Sequence, residues 1–459
     1  MTAGPASERS PWLARLLGWI AGVFFRIERR GNAIPGGPVL VAANHPNSLL
    51  DPLVIFRTGG RATRPLAKAP LFDQTFVGFM LRSLGGLPVY RRQDDSTQMH
   101  RNDESFRRAI DAPRAGAAVQ IYPEGISHSE PALAPLRTGA ARIALNAEQE
   151  SDWKLGLRIV PVGLTYRHKT RFRGTALANV GEPIEVARWR NGYESDPQEA
   201  VRSLTDAIAE RLRAVTLDLT HAEDQTLVET AERIWAREKG LAGWREREAM
   251  SERLPRLQAF ARGLDWLRLN DPARHETLRH GVMVYARWLD RLGVRDGDVP
   301  PRYGTWAVLR YALRESSVLV LGFPFALAGA LLWYPVWATP RLVVARVRPA
   351  YEAISTYKVV SGFFAAPLLW VVLVSIAGWF FGPWAALAVA AAVPVLGLCV
   401  LFWGERYIRV RDDADLFLRI LRRPDLPAVL EARRRELVQA FDDLAEVALR
   451  DTAAGYSPA

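Results

Sequence analysis

Three apolar runs near the C-terminus limit what this chain can fold into more than any other feature. Ser316–Ala338 and Val359–Phe381 each hold 23 residues without a charged side chain, and Pro383–Trp403 holds 21. About 20 apolar helical residues cross the hydrocarbon core of a bilayer, so each run is long enough to span it. Three such runs this close together argue against buried helices of a soluble protein. Gly382 and Pro383 separate the last two runs, which implies a tight helical hairpin. Pro324 and Pro335 fall inside the first, and an internal proline removes a helix hydrogen bond and can break the helix. Arg341, Arg346, Arg348 and Lys358 follow the first run, and Arg406, Arg409 and Arg411 follow the third. Three complete crossings would put both basic clusters opposite the N-terminal domain. A re-entrant first run puts them all on one, cytoplasmic side, as the positive-inside rule asks. The expectation is therefore an integral membrane protein with a membrane-embedded region over 316–403 (segments 316–338, 359–381 and 383–403), the first re-entrant. A helical cytoplasmic tail over 404–459 follows. Trp333, Trp337, Trp379 and Trp403 stand at segment ends, where an aromatic belt would lie. Cys399, in the third run, reads as packing.

The rest of the 459-residue chain divides by pattern. Trp12–Phe25 is apolar except for Arg15, is too short to span, and has no small-residue cleavage site close behind it. It reads as a helix lying on the membrane or packed on the domain, within an N-terminal region 1–30. Residues 31–197 alternate short apolar runs with helix-like stretches. Strands are expected at Val39–Ala43, Leu87–Tyr90, Val119–Tyr122, Ile159–Thr165 and Leu177–Val180. Helices are expected at Pro52–Phe56, Thr97–Ala112 and Gly139–Glu148. That alternation predicts an α/β domain. Residues 198–315 read as helical, with Trp235, Trp244, Trp266 and Trp288 at core positions. One Cys excludes an internal disulfide and any Cys-rich zinc site. A net charge of +11 suits nucleic acid, a membrane surface or an anionic metabolite equally, so chemistry has to choose among them.

Chemistry-bearing residues cluster where strands end. His45 follows the buried run Val39–Ala43, and Asp51 lies six residues on, before Pro52. Asp51 is a suitable helix N-cap with Pro at the first helical position. It also suits a His–Asp pair, in which the carboxylate fixes the imidazole tautomer so that the other nitrogen can take a proton from an alcohol. No further ligands are spaced for a metal. A second strand, Val119–Tyr122, ends in Pro123-Glu124-Gly125, and glycine permits close backbone approach to a substrate. Gly125-Ile-Ser127 lacks the second glycine of a nucleophile elbow, so a serine hydrolase is not expected. Arg91, Arg137 and the 166–173 run follow strands as well, and a guanidinium fork suits a phosphate. Most of the 166–173 run reads as a solvated face. No nucleic-acid motif accompanies it.

In order, Asn44-His45…Asp51-Pro52, Gly86-Leu-Pro-Val-Tyr-Arg91, Tyr122-Pro-Glu124-Gly125 and Val160-Pro161-Val162 resemble the four blocks of the glycerolipid acyltransferases, which comprise glycerol-3-phosphate and lysophosphatidate acyltransferases. Two details depart from the commonest pattern. Five residues separate His45 from Asp51 where most members have four, and Ser127 stands where most carry Arg. Both departures are similar to the fungal-type glycerol-3-phosphate/dihydroxyacetone-phosphate acyltransferases, as is Leu133-Ala-Pro-Leu-Arg-Thr-Gly139. The resemblance continues through Gly181-Glu-Pro-Ile-Glu185 and Ala231-Glu-Arg-Ile-Trp235, and weakens beyond about residue 300.

The resemblance implies a mixed sheet flanked by helices, followed by a helical region and C-terminal membrane-embedded helices. It implies acyl transfer from acyl-CoA or acyl carrier protein to the sn-1 hydroxyl of glycerol-3-phosphate or dihydroxyacetone phosphate, for phospholipid biosynthesis. His45 and Asp51 would be catalytic. Asn44, Arg91, Glu124, Gly125 and Arg137 would bind substrate, with Arg91 on the acceptor phosphate and backbone N–H groups near Gly125 or Asn44 on the oxyanion. No metal or cofactor is implied beyond the acyl donor, and no nucleic acid. Lysophosphatidate or another lipid is the alternative acceptor, and an inactive membrane scaffold is the alternative of a different class.

Overall fold

A computed structural model describes residues 11–90, 102–241, 248–292, 305–422 and 426–453. The chain forms two compact units. The first comprises Met1–Ala222, Ala249–Leu254 and Pro349–Val359, and the second Glu223–Glu248, Pro255–Arg348 and Val360–Ala459.

The first unit is built on a mixed sheet of eight strands. These are β1 (Phe25–Arg30), β2 (Val39–Ala43), β3 (Arg64–Lys68), β4 (Leu87–Val89), β5 (Ala118–Ile121), β6 (Arg158–Arg167), β7 (Gly174–Val180) and β8 (Ile184–Glu185). The order is β1-β7-β6-β2-β5-β3-β4, with β8 on β6. β2 is parallel to both neighbours; only β6 with β7 and β6 with β8 run antiparallel. Every residue of β2 is buried, as a central strand covered on both faces must be. Its register sets Ala42 beside Ile121 of β5 and Ala43 beside Val162 of β6. The loops leaving β2 and β5 therefore emerge side by side, where parallel α/β sheets assemble their sites.

Helices α1 (Pro11–Phe24) and α2 (Leu50–Thr58) belong to the apolar cluster on one face of the sheet. Short helices α3 (Ala69–Asp73) and α4 (Thr75–Ser83) follow β3. Helices α5 (Asn102–Arg114), α6 (Gly139–Gln149) and, after the short α7 (Arg190–Ser195), α8 (Pro197–Val215) supply the cluster on the other face. α1 buries Leu13, Leu17, Ala21 and Phe24 in the domain core and leaves Trp12, Trp19 and Val23 exposed. Of the two readings of that apolar stretch, packing on the domain holds for one face. Burying a leucine or phenylalanine contributes about 1.5–3 kcal/mol, which is sufficient reason for the helix to dock.

The expected strands and helices all occur; Val39–Ala43 keeps both its ends, and elsewhere each end lies within three residues of the expected one wherever both are described. Thr97, the expected start of the second helix, lies outside the described residues. Strands β1, β3 and β8 were not legible. β1 reads Phe-Arg-Ile-Glu-Arg-Arg and sits at the sheet edge, where charged side chains protect an open strand. β3 carries Arg, Pro and Lys, and β8 has only two residues. The domain boundary also differs from residue 197. Leu204, Ile208 and Leu212 of α8 are buried in the sheet's core, so the first unit extends to Ala222. α8 is capped by Asp196, whose carboxylate accepts the Gln198 and Glu199 N–H groups at 2.9 and 3.1 Å ahead of Pro197.

The second unit is helical. It contains α9 (Gln225–Glu238), most of α10 (Met250–Asn270), α11 (Pro272–Leu292), α12 (Thr305–Val347), most of α13 (Ile354–Phe381), α14 (Pro383–Arg422) and α15 (Leu426–Ala453). Trp235 is half-buried and its indole N–H donates to Asp442 at 3.0 Å, which joins α9 to α15. Trp266 is half-buried, while Trp288 is exposed and Tyr285 holds the buried position on α11. Trp244 lies outside the described residues.

Three helices, over Leu309–Val347, Tyr351–Phe381 and Pro383–Arg411, are long and apolar enough to cross a membrane. The expected re-entrant hairpin is corrected: α12 is one continuous helix that passes through Pro324, Pro335 and Pro340. Neighbouring helices make such prolines tolerable by satisfying the backbone. Pro394 removes the N–H that would bond the Ala390 carbonyl, and the Trp370 indole of α13 donates to that carbonyl at 3.0 Å. The Trp403 indole donates to Leu319 O at 2.9 Å, and the Trp333 indole to Val393 O at 3.0 Å. Trp333 and Trp403 therefore tie α12 to α14, and Trp337 and Trp379 are exposed. α12 and α14 run antiparallel and close: a Cβ on Gly329 would lie 2.5 Å from Leu396 O. Arg406 of α14 pairs with Glu315 of α12 at the charged end of that contact.

Candidate active site

The turn after β2 carries the first cluster. Asn44 pins it to β6: its Oδ1 accepts the Leu164 N–H at 2.6 Å and its Nδ2 donates to Leu164 O at 3.0 Å. That side chain is thus committed to backbone. His45 is half-buried, with its ring stacked on Tyr122 at 4.0 Å between centroids. Its Nδ1 lies 2.8 Å from Asp51 Oδ2. Five intervening residues fit because Ser48 takes the left-handed conformation, with φ 51°. Asp51 is not an N-cap. α2 begins at Leu50, and the carboxylate of Asp51 turns back into the loop, where it accepts the Asn47 N–H at 2.8 Å.

Asp51 is completely buried. A buried carboxylate needs donors, and this one has three: His45 Nδ1, the Asn47 N–H, and the Tyr166 hydroxyl at 2.7 Å on Oδ1. Burial, and then the Asp51 charge, holds the Tyr122 and Tyr166 hydroxyls well above the ordinary phenol pKa. Tyr166 therefore remains a donor. With Asp51 ionised, Nδ1 of His45 carries the proton and Nε2 is the basic nitrogen.

The loop after β5 braces the first. Glu124 is buried; Oε1 accepts the His45 N–H at 3.1 Å, and Oε2 accepts the Ala134 N–H at 2.8 Å and pairs with His128 Nε2. The Ser127 hydroxyl donates to the His45 carbonyl at 2.8 Å, and the His128 N–H donates to the same oxygen at 3.2 Å. Gly125 has φ 73°, and a Cβ there would lie 2.7 Å from Nε of Arg137. The Gly125 N–H closes a turn onto Tyr122 O at 3.0 Å. Arg137 is exposed and its side chain lies against Gly125.

His45, Asp51, Asn44, Glu124, Gly125 and Arg137 thus come together from two loops. Arg91 lies outside the described residues. Tyr166, His128 and Lys169 were not singled out from the sequence, and Ser127 was weighed there only as a nucleophile and as the residue in the usual arginine's place. The only signal for Tyr166 and Lys169 was their place after a buried strand, inside a run whose charges pointed to solvent. The arrangement holds one imidazole nitrogen against a buried carboxylate and leaves the other ring nitrogen as a base, which is the equipment for deprotonating a hydroxyl.

An acyltransferase family model matches residues 25–165, from β1 into β6. An uncharacterized acyltransferase of Schizosaccharomyces pombe is 26% identical over 72% of this chain and 60% of its own length. Glycerol-3-phosphate O-acyltransferase 2 of Saccharomyces cerevisiae is 26% identical over 59% of this chain and 37% of its own. The crystal structure of the 1-acyl-sn-glycerophosphate acyltransferase of Thermotoga maritima aligns with 44% of this chain and 78% of that one, at 19% identity and a TM-score of 0.33. The chain spans 60% or less of the length of these two yeast relatives. The match over residues 25–165 shows an acyltransferase domain there, and the chain is similar to the fungal glycerol-3-phosphate acyltransferases.

Proposed function

We propose that this chain is a membrane-bound acyltransferase that moves a fatty acyl group from acyl-CoA, or acyl carrier protein, to the sn-1 hydroxyl of glycerol-3-phosphate. The observation that carries this reading is the 2.8 Å contact between His45 Nδ1 and the buried Asp51 carboxylate, at the end of the central strand. Nε2 of His45 takes the hydroxyl proton while Asp51 orients the ring and stabilises the imidazolium. The alkoxide oxygen bonds to the thioester carbon, and the collapsing intermediate expels the thiolate, which recovers the proton from His45. Glu124 serves as the brace of His45, because both its oxygens are already engaged there. Arg91 and Arg137 are assigned to the acceptor phosphate, which a guanidinium fork fits. Dihydroxyacetone phosphate shares the three-carbon phosphate and belongs to the same reading; lysophosphatidate is the competing acceptor. No metal or further cofactor takes part in the scheme.

The catalytic unit is placed on the cytoplasmic side. The re-entrant hairpin is gone, but Met1–Ala222 and Pro349–Val359 precede and follow α12 and belong to one unit, so in this reading both ends of the continuous α12 lie on the same side of the bilayer. What supports the cytoplasmic placement is Pro349–Val359, which belongs to the catalytic unit, contains Lys358 and directly follows Arg346 and Arg348, a basic cluster of the kind retained in the cytoplasm. The test is an acceptor panel of glycerol-3-phosphate, dihydroxyacetone phosphate and lysophosphatidate with labelled acyl-CoA on purified membranes. Preference for lysophosphatidate refutes the acceptor, and no transfer to any of the three refutes the activity. Arg91→Ala is expected to raise the acceptor KM more than the acyl-CoA KM; an equal effect on both removes its assignment.

A further inference from the structure

The site described so far comes from the sheet's own loops, yet a distant stretch of chain is built into it. Pro349–Val359, which joins helices α12 and α13, belongs to the catalytic unit. Ser355 is completely buried there, and its hydroxyl donates to Lys169 O. Lys358 Nζ donates to Thr170 O at 2.7 Å, and Val359 joins the core cluster that contains β2 and α2. Glu352 accepts the Ser129 hydroxyl at 2.6 Å. Lys169 stands at the centre of these contacts. It is 9% exposed; its Nζ donates to the Pro46 carbonyl at 2.8 Å and to Ser129 Oγ, and lies 4.5 Å from the centre of the Tyr351 ring. One ammonium group thus joins the residue after His45, the loop that carries Glu124 and His128, and the junction of two membrane-capable helices. Two acceptor oxygens and an aromatic face surround the ammonium, as a buried cation requires.

We propose that Lys169 and Glu352 are positioning residues for acyl transfer: together they clamp the His45–Pro46 turn to the Ser127–Ser129 loop, so that the junction of the first two membrane-capable helices, including the start of the second, completes the catalytic site. Burial lowers the Lys169 pKa, while the charges of Glu352 and Asp51 oppose that shift and favour the ammonium form. Neither residue touches the reacting atoms; each acts through Pro46 and Ser129 on His45.

The inference rests on the acyl-transfer reading for its rate effect, and amide exchange tests it independently. Wild-type protein, Glu352→Ala, Glu352→Gln and Lys169→Met are compared as full chains in membranes. Displacing a catalytic group by about 1 Å costs on the order of 100-fold, so Glu352→Ala and Lys169→Met are expected to lower kcat by about 10- to 100-fold and to move either KM by less than about 3-fold. Both should speed exchange at the Asn47 and His128 amides, whose acceptors are Asp51 and the His45 carbonyl. Glu352→Gln, which keeps an oxygen for Ser129, should recover most of the rate. The proposal is overturned if Glu352→Ala and Lys169→Met keep wild-type kcat and exchange, or if they lower only the melting temperature. If wild-type protein transfers acyl groups to no acceptor, the acyl-transfer reading fails, and unchanged exchange in the variants would still overturn the clamp by itself.

Discussion

Asp51→Asn isolates the electrostatic part of the mechanism because it keeps the shape of a completely buried side chain. In the native site Oδ2 accepts two N–H groups, from His45 Nδ1 and from Asn47, and Oδ1 accepts the Tyr166 hydroxyl. An amide has one acceptor oxygen, so one of these donors must face an NH2 group. If the oxygen stays with Asn47 and His45, the amide NH2 meets the Tyr166 hydroxyl, which can turn to accept. The lasting loss is then the negative charge beside the imidazolium that forms as His45 takes the proton. Two unit charges about 4 Å apart interact by about 4 kcal/mol at an effective dielectric of 20, and 1.36 kcal/mol is a factor of ten in rate. The expected outcome is a fall in kcat of about a thousandfold with the acceptor KM little changed, because the charge matters most in the transition state. Unfolding should move less, by roughly the 1–3 kcal/mol of one imperfectly satisfied buried group. The assay is initial-rate acyl transfer from labelled acyl-CoA on purified membranes, with thermal unfolding beside it. A kcat within about threefold of wild type, in a protein that unfolds normally, would refute the role of Asp51, since a general base without its orienting charge should lose far more.

Other outcomes follow from the same geometry. Gly125→Ala places a side chain at φ 73° and against Arg137, so it should cost at least about 1–2 kcal/mol of stability and displace the Glu124 loop; unchanged unfolding and rate would contradict the assigned conformation. Tyr122 and Tyr166 have folded-state pKa values above the ordinary value of about 10, so the folded form keeps protons that the unfolded form loses. Their contribution is present below about pH 10 and is lost as pH rises above it. Tyrosinate absorbance should therefore show two hydroxyls that ionise only with unfolding; their ionisation in the folded protein would disprove the burial argument. Gly329→Leu should separate α12 from α14, because even a Cβ there would meet Leu396 O at 2.5 Å; a cross-link engineered between α12 and α14 that still forms in that variant would show the contact is misplaced.

The sequence made the ends of the sheet legible better than its edges. β2, β5 and β6 are apolar runs that stop at Asn44, Tyr122 and the polar 166–173 stretch, and the pattern of burial marks both the strand and its exit. β1 could not be read that way: at the edge of the sheet it carries Arg26, Glu28, Arg29 and Arg30, half-buried or exposed, and such a charged run lacks the apolar signature of a strand. The His45–Asp51 pair was legible because both residue types sit six apart after a buried strand. The role of Asp51 as the focus of three donors was not, because Tyr166 arrives from a strand more than a hundred residues away. Lys169 was read as part of a solvated face, since its charge suggests water; only folding brings Pro46, Ser129 and Tyr351 around it. The prolines of α12 suggested a break for a similar reason. What packs against α12, Trp403 on Leu319 O and Leu396 against Gly329, comes from another helix, and local sequence does not record it.

The most direct test of the central claim measures one quantity: the rate of labelled acyl incorporation into the sn-1 position of glycerol-3-phosphate by membranes carrying the wild-type chain or His45→Ala. The account predicts transfer by the wild-type chain and, with the His45→Ala protein folded and membrane-bound at the same level, none above background. Transfer by His45→Ala at the wild-type rate would contradict it.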